Sequence, residues 1–63
     1  MTATRVILKD IPPDKFILAT RAAKWLLDQP ESQKDAIMAY GDAPNQVHLY
    51  VRRNKSSITV RPC

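Results

Sequence analysis

The side chains best suited to chemistry lie in the last third of the chain, where charged and aromatic residues alternate with apolar ones. From Gln46 onward the chain has four basic residues and no acid, out of 10 basic and 6 acidic residues in all. The polar candidates in this segment are His48, Tyr50, Arg52, Arg53, Lys55 and Arg61. Because lysine and arginine contact phosphates and an exposed tyrosine can stack on bases, the segment predicts a nucleic-acid-binding surface.

Residues that could support catalysis are scarce. His48 is the single histidine, and the sequence shows neither an orienting partner nor a pocket for it. Cys63 is the single cysteine, which excludes an internal disulfide and a cysteine-based zinc site. Gly41 is the single glycine, which excludes glycine-rich phosphate loops. We therefore expect a protein that is not an enzyme and that uses no metal and no cofactor.

Length and charge set further limits on the class of protein. A chain of 63 residues makes one domain, near the size at which a hydrophobic core alone is barely sufficient, so we expect a homodimer. The net charge of +4 is unevenly distributed, with +2 in residues 1–29, −2 in residues 30–45 and +4 in residues 46–63. The absence of a long apolar run and of a signal peptide predicts a cytoplasmic protein with no membrane partner.

Two alternating stretches predict a β-hairpin from Val47 to Pro62. Apolar and polar residues alternate on both sides of a turn, with the period of two that is typical of half-buried strands. A two-residue turn at positions 54–55 pairs Val51 with Ile58. A four-residue loop shifts the register by two and leaves the same apolar and polar faces.

A strand and a helix precede the hairpin. Residues 5–11 are rich in β-branched side chains and stop at two prolines, which predicts a strand. Residues 13–28 predict a helix, because a proline and an acid suit its first turn and another proline follows its end. The apolar stripe of this helix should pack on the hairpin, with Trp25 against Leu49 and Val60.

Residues 31–41 admit two interpretations. As a helix, which we favour, they begin with a capping Ser32, contain several good helix formers and stop at Gly41. As a strand, alternate residues from 36 to 40 would face one side. The predicted fold is a small single α+β domain of order β-α-α-β-β, with a C-terminal antiparallel hairpin packed on a helix. A β-α-β-β-β meander is the alternative.

With a second helix, the element order is that of a winged helix-turn-helix. Gln33 and Lys34 would then begin the recognition helix, where glutamine can pair with adenine and lysine with guanine in the major groove. The hairpin loop, with Arg53 and Lys55, would be the wing that contacts the DNA backbone. Two acids beside Gln33 and Lys34 oppose this arrangement, because they bring negative charge to the end that should meet DNA.

The two ends of the chain resemble the Cro repressors of lambdoid phages. The resemblance rests on the opening RVILKD of residues 5–10 and on the hairpin that closes with VRP at residues 60–62. It implies a small dimeric DNA-binding protein with a first strand, three helices and a hairpin. The middle of the chain departs from that pattern, since one long helix replaces two short ones, and no residue roles follow from the resemblance.

These patterns predict a small non-enzymatic regulatory protein, of phage or mobile-element origin, that binds nucleic acid, DNA in the first instance, through a basic β-hairpin. The predicted contact residues are Arg52, Arg53, Lys55, Arg61, Tyr50, His48, Gln33 and Lys34. The alternative is a small protein–protein interaction module that binds and modulates a larger host protein through an exposed sheet edge or the face around Tyr50.

Overall fold

Six segments of regular structure follow one another along the chain. In the computed structural model, which describes residues 4–63, they are β1 (Arg5–Leu8), a 3-10 turn (Pro13–Lys15), α1 (Phe16–Leu27), β2 (Asp35–Tyr40), β3 (Val47–Arg53) and β4 (Ser57–Pro62). One α-helix packs on a four-stranded sheet. The predicted small α+β domain is confirmed, and its element order is that of the β-α-β-β-β alternative.

The strands form one mixed sheet in the order β1-β4-β3-β2. Strand β3 is antiparallel to both of its neighbours, β2 and β4, whereas β1 runs parallel to β4. Arg5 pairs with Ser57 and Leu8 pairs with Val60. Just beyond β1, the backbone N–H of Lys9 donates to the carbonyl oxygen of Val60 at 2.8 Å. The first and last strands therefore meet, which brings the N-terminal cations beside those of the hairpin.

The hairpin of β3 and β4 has the predicted faces and the longer of the two predicted loops. Val51 pairs with Val60 rather than with Ile58, so residues 54–57 form a four-residue connection. Val51, Val60, Ile58 and Leu49 are buried, each at most 1% exposed. Because the register is shifted by an even number, the apolar residues still share one face.

Residues 31–41 contain the main correction to the predicted fold, because they form a turn and a strand instead of a helix. Pairing of β2 with β3 satisfies the backbone hydrogen bonds of this segment, and its alternate side chains are half-buried on the helix side. These gains outweigh the weak helix preference of its residues. The winged helix-turn-helix order and the three helices implied by the Cro resemblance are therefore wrong, and Gln33 and Lys34 begin no recognition helix.

The turn between β2 and β3 begins at Gly41. Its φ of +83° lies in the left-handed region, which residues other than glycine rarely adopt. Glycine is thus required here to redirect the chain after a strand, although the sequence had suggested a helix stop. Glycine can adopt the left-handed conformation both after a helix and in a turn after a strand, so its presence alone does not distinguish a helix end from a strand end.

Helix α1 contacts the sheet mainly through small side chains. Ala19, Ala22, Ala23 and Leu26 recur at helical spacing and are at most 1% exposed. Three alanines let the helix approach the sheet closely and leave no room for larger side chains between them. Trp25 is 37% exposed and is not among the side chains packed in or against the buried core, so its predicted position against Leu49 and Val60 is wrong.

The ends of β1 and α1 test the predicted boundaries. β1 ends at Leu8, earlier than predicted, and the next turn of chain passes through Asp10 with φ +56°. α1 ends at Leu27, close to the predicted end at Asp28. Within residues 4–63, no helix combines the length and the apolar character needed to cross a membrane.

Candidate nucleic-acid interface

Helix α1 contacts all four strands from one side of the sheet, and in residues 4–63 no helix or strand packs on the other side, which we call the open face. Successive side chains of a strand point to opposite sides, so each strand contributes alternate residues to the open face. By the strand register these are Arg5, Ile7 and Lys9 from β1 and its extension, Ser57, Thr59 and Arg61 from β4, His48, Tyr50 and Arg52 from β3, and Asp35, Ile37 and Ala39 from β2.

Tyr50 lies near the middle of the open face, on the inner strand β3. It pairs with Ile37 on one side and with Arg61 on the other. The guanidinium carbon of Arg61 is 5.1 Å from the centroid of the Tyr50 ring, within the range of a cation–π contact. An aromatic ring and a cation are thus held together on a solvent-facing sheet surface.

A hydrogen bond fixes the other end of the Tyr50 ring. The phenol O–H donates to Oδ2 of Asp35 at 3.0 Å. This hydrogen bond is the main cause that raises the pKa of Tyr50 above its ordinary value, with smaller contributions from desolvation and from the Asp35 charge. The ring therefore stays neutral at physiological pH, and contacts at both ends restrict its orientation.

The open face is strongly basic. By register it holds the exposed cations Arg5, Lys9, Arg52 and Arg61, and within residues 4–63 its only acid is Asp35. A shallow cleft of about 230 Å³ runs between three of these cations. It is lined by Lys9, Tyr50, Arg52, Asn54, Thr59 and Arg61. Cationic side chains around a neutral ring are a combination that can bind phosphates and stack on bases.

The structure divides the predicted contact residues between the two sides of the sheet. His48, Tyr50, Arg52 and Arg61 share the open face, as their alternation in sequence predicted. His48 is exposed, lies beside Ala39 of β2, and makes no side-chain hydrogen bond among the described residues. The histidine therefore adds a polar, solvent-facing group at one end of the face.

Arg53 lies on the helix side of the sheet and is engaged by the end of α1. Its guanidinium donates to the carbonyl oxygens of Leu26, of Gln29 at 3.3 Å and of Pro30 at 3.1 Å. The last carbonyl groups of a helix lack intrahelical donors, and the helix dipole attracts cations to this end. Arg53 thus joins the hairpin to the helix, and its donors are directed into the protein.

Lys34 and Lys55 lie at the same end of the sheet as Arg53 and line a larger cleft of about 650 Å³. Both lysines are exposed, but Glu31 also lines this cleft. Gln33 precedes Lys34 in the turn before β2 and is half-buried. With Arg53 held at the helix end, this cleft has two other cations and one acid among residues 4–63, whereas the open face has four cations and one acid, so the cleft is less basic.

Sequence reasoning missed the contribution of β1 and β2 to the open face. Arg5 and Lys9 reach the hairpin only because β1 pairs with β4, and Asp35 and Ile37 reach Tyr50 only because residues 35–40 form a strand. One signal was available for β1, since Arg5 and Lys9 are an even number of positions apart and must share a side of the strand. Nothing in the sequence identified β4 as the neighbour of β1.

Among residues 4–63, no three side chains of the metal-binding types lie close enough together to hold a metal ion. Comparisons with protein-family models, with curated proteins and with solved structures found no match. The function proposed below therefore rests on the geometry and charge of the open face.

Proposed function

We propose that this protein is a small non-enzymatic regulator that binds nucleic acid on the open face of its sheet, and that it acts in the cytoplasm. The observation that carries this proposal is the half-buried residue Tyr50 with Arg61 above its ring, surrounded by further cations on a sheet face that no helix within residues 4–63 covers. The basic β-hairpin remains the core of the interface, and it acts through its flat polar face instead of its loop.

The distribution of charge supports a polyanionic partner. Four cations on one face attract phosphates, and binding releases the counterions that those phosphates had condensed. Asp35 is hydrogen-bonded to Tyr50, so the acid that could repel phosphates lies at the β2 side of the face. The cations of β1 and β4 lie farther from it in the strand order.

The proposal is tested by titrating the protein with single-stranded and duplex DNA at two salt concentrations. The expected result is binding whose log-log salt slope is about −0.7 per phosphate contact on a single strand and about −0.9 on a duplex. Changing Arg52 and Arg61 together to glutamine should reduce the single-strand slope by about 1.4. The matched control changes Arg21 and Lys24 of α1 to glutamine, which removes the same charge from the opposite side and should leave the slope unchanged.

Two outcomes would refute nucleic-acid binding by this face. One is the absence of binding to any DNA or RNA at low salt. The other is an equal reduction of the slope in the open-face variant and in the helix variant, because net charge alone would then explain the attraction.

A second candidate function is favoured by the free edge of β1. Val6 is 43% exposed and Ile7 is 41% exposed, on opposite sides of this edge strand. The N–H groups of Arg5 and Lys9 donate to the β4 side, so those of Val6 and Leu8 point to the free edge. An edge of this kind can pair with an extended segment of a host protein or with a second copy of the chain.

The edge is tested with Val6→Asp, which places a charge at the free edge without altering the open face. Loss of a protein partner or of self-association in this variant, with nucleic-acid binding retained, would support the second candidate. A partner that is retained by Val6→Asp but lost with Ile37→Asp would instead bind the open face.

A further inference from the structure

The net charge and the aromatic ring of the open face lie in different halves of the sheet. The half formed by β1 and β4 carries Arg5, Lys9 and Arg61, and in residues 4–63 it has no acid. In the half formed by β2 and β3, the charges of Arg52 and Asp35 have opposite sign and lie directly opposite each other. The net positive charge of the face is therefore concentrated over β1 and β4.

The aromatic ring and most of the apolar surface of the open face lie over β2 and β3, although Ile7 of β1, 41% exposed, also lies on this face. Ile37 on β2 pairs with Tyr50 on β3, and Tyr50 pairs with Arg61 on β4. Continuing the register of β1 and β4 places Lys9 beside Arg61. One row across the sheet thus reads isoleucine, tyrosine, arginine, lysine, from an apolar end to a doubly charged end. Ile37 is 66% exposed, so the apolar end of the row faces solvent.

We propose that the open face binds a single-stranded nucleic acid in one orientation, with the bases over β2 and β3 and the sugar–phosphate backbone over β4 and β1. This inference rests on the proposed function and adds the class of ligand and its direction across the sheet. A nucleotide has an apolar, π-faced base at one end and an anionic phosphate at the other, which matches the row from Ile37 to Lys9.

A duplex does not fit this surface as well as a single strand. In a duplex the faces of the bases are stacked on one another, so Tyr50 and Ile37 would have no base to contact. A flat sheet also offers no projecting element for the major groove, since residues 31–41 form no recognition helix and Arg53 holds the start of the hairpin loop against α1.

The two contacts of Tyr50 prepare the ring for stacking. The hydrogen bond to Asp35 and the cation–π contact with Arg61 restrict the ring before a ligand arrives. Less conformational entropy is then lost when a base stacks on the ring. Because the Arg61 guanidinium lies over the ring, a base that stacks on this ring face takes its place. Arg61, which the row places between Tyr50 and Lys9, can then contact the phosphate of the same nucleotide.

The test measures the binding of three nucleic-acid probes, each ten nucleotides or ten base pairs long, by fluorescence anisotropy at low and moderate salt. They are oligothymidylate, an abasic strand with the same deoxyribose-phosphate backbone, and a ten-base-pair duplex. Oligouridylate is compared with oligodeoxyuridylate to distinguish RNA from DNA, since these two strands carry the same base and phosphates and differ at the 2′-hydroxyl. Wild-type protein should bind oligothymidylate most tightly and the abasic strand more weakly.

Two variants separate the two halves of the face. Tyr50→Ala should weaken binding of oligothymidylate by about 5- to 150-fold and leave the abasic strand within about twofold. Tyr50→Phe retains the ring and should recover most of that loss. Lys9→Gln should weaken both strands equally and reduce the salt slope by about 0.7. Lys24→Gln on α1 removes the same charge and should have no effect.

Each outcome has a distinct meaning. If wild-type protein binds none of the probes, both the proposed function and the orientation are refuted. If the duplex binds at least as tightly as oligothymidylate, or if Tyr50→Ala weakens both strands equally, the orientation is refuted and nucleic-acid binding stands. An abasic strand that does not bind at low salt would likewise contradict phosphate contacts over β1 and β4.

Discussion

Two neighbouring arginines of β3, Arg52 and Arg53, should affect different properties of the protein when each is changed to methionine. Arg53 donates three hydrogen bonds, one to a carbonyl oxygen in the last turn of α1 and two to carbonyl oxygens just beyond it, whereas Arg52 is exposed on the open face. Methionine keeps most of the aliphatic stem of arginine and removes the charge and the donors. Arg53→Met should therefore destabilise the fold, and Arg52→Met should weaken nucleic-acid binding.

The magnitude for Arg53→Met follows from its contacts. Loss of a hydrogen-bonding charged group costs about 1.5–3 kcal/mol, and the lost interaction with the helix dipole adds about 0.3–1 kcal/mol. For a domain of this size each kcal/mol lowers Tm by about 4–8 °C. Arg52→Met, a surface substitution, should change the free energy of unfolding by no more than about 0.5 kcal/mol.

Thermal and urea melting, followed by circular dichroism, measures the first effect, and DNA titration measures the second. Arg53→Lys should be intermediate in stability, because an ammonium group donates from a single nitrogen, whereas the planar guanidinium reaches these carbonyl oxygens from two. Equal melting of Arg53→Met and Arg52→Met would refute the role assigned to Arg53. Strong loss of DNA binding in folded Arg53→Met, with none in Arg52→Met, would show that the wrong side of the sheet was chosen.

Three further predictions concern the core, the tyrosine and assembly. Leu49→Ala should cost about 2–5 kcal/mol because Leu49 is 1% exposed, whereas Ile37→Ala at a 66% exposed site should change the melting temperature little, and denaturant titration checks both. The phenol of Tyr50 should ionise at higher pH than an ordinary tyrosine, and Asp35→Asn should lower its pKa, as followed by NMR of the ring. Because the folded-state pKa is raised, the stabilisation from this hydrogen bond is present at neutral pH and is lost as pH rises through that pKa. The protein should sediment as a homodimer at micromolar concentration, and Val6→Asp should yield monomer; a wild-type protein found only as monomer would contradict this expectation.

The alternation of residues predicts both the open face of the hairpin and the side of the sheet on which Arg53 lies, whereas the wing hypothesis placed Arg53 in a projecting loop. Arg53 has the same parity as Leu49 and Val51, so strict alternation already placed it on the helix side. The wing hypothesis, which made Arg53 part of a projecting loop, disagrees with that alternation. Its contact with α1 could not be predicted, because it depends on where the helix ends in space.

The strand at residues 35–40 shows why local sequence was insufficient. Its residues favour a helix weakly. The strand is stabilised by pairing with β3, a segment that lies elsewhere in the sequence, so the local pattern does not reveal it. A similar limit applies to Trp25, whose size suggested a core position. The three alanines of α1 occupy its buried side and pack closely on the sheet, whereas Trp25 lies outside that side and is 37% exposed.

The pairing of β1 with β4 also has a consequence for the order of folding. Arg5 lies opposite Ser57, so this pairing joins positions separated by most of the chain, and the entropy of closing that loop opposes it. During synthesis β1 has no neighbour until β4 has been made, whereas the contacts of β3 with β2 and β4 are local. The half of the interface that holds Arg5 and Lys9 is thus assembled after the half that holds Tyr50. A nascent chain would display the aromatic site before it acquires the full cationic surface.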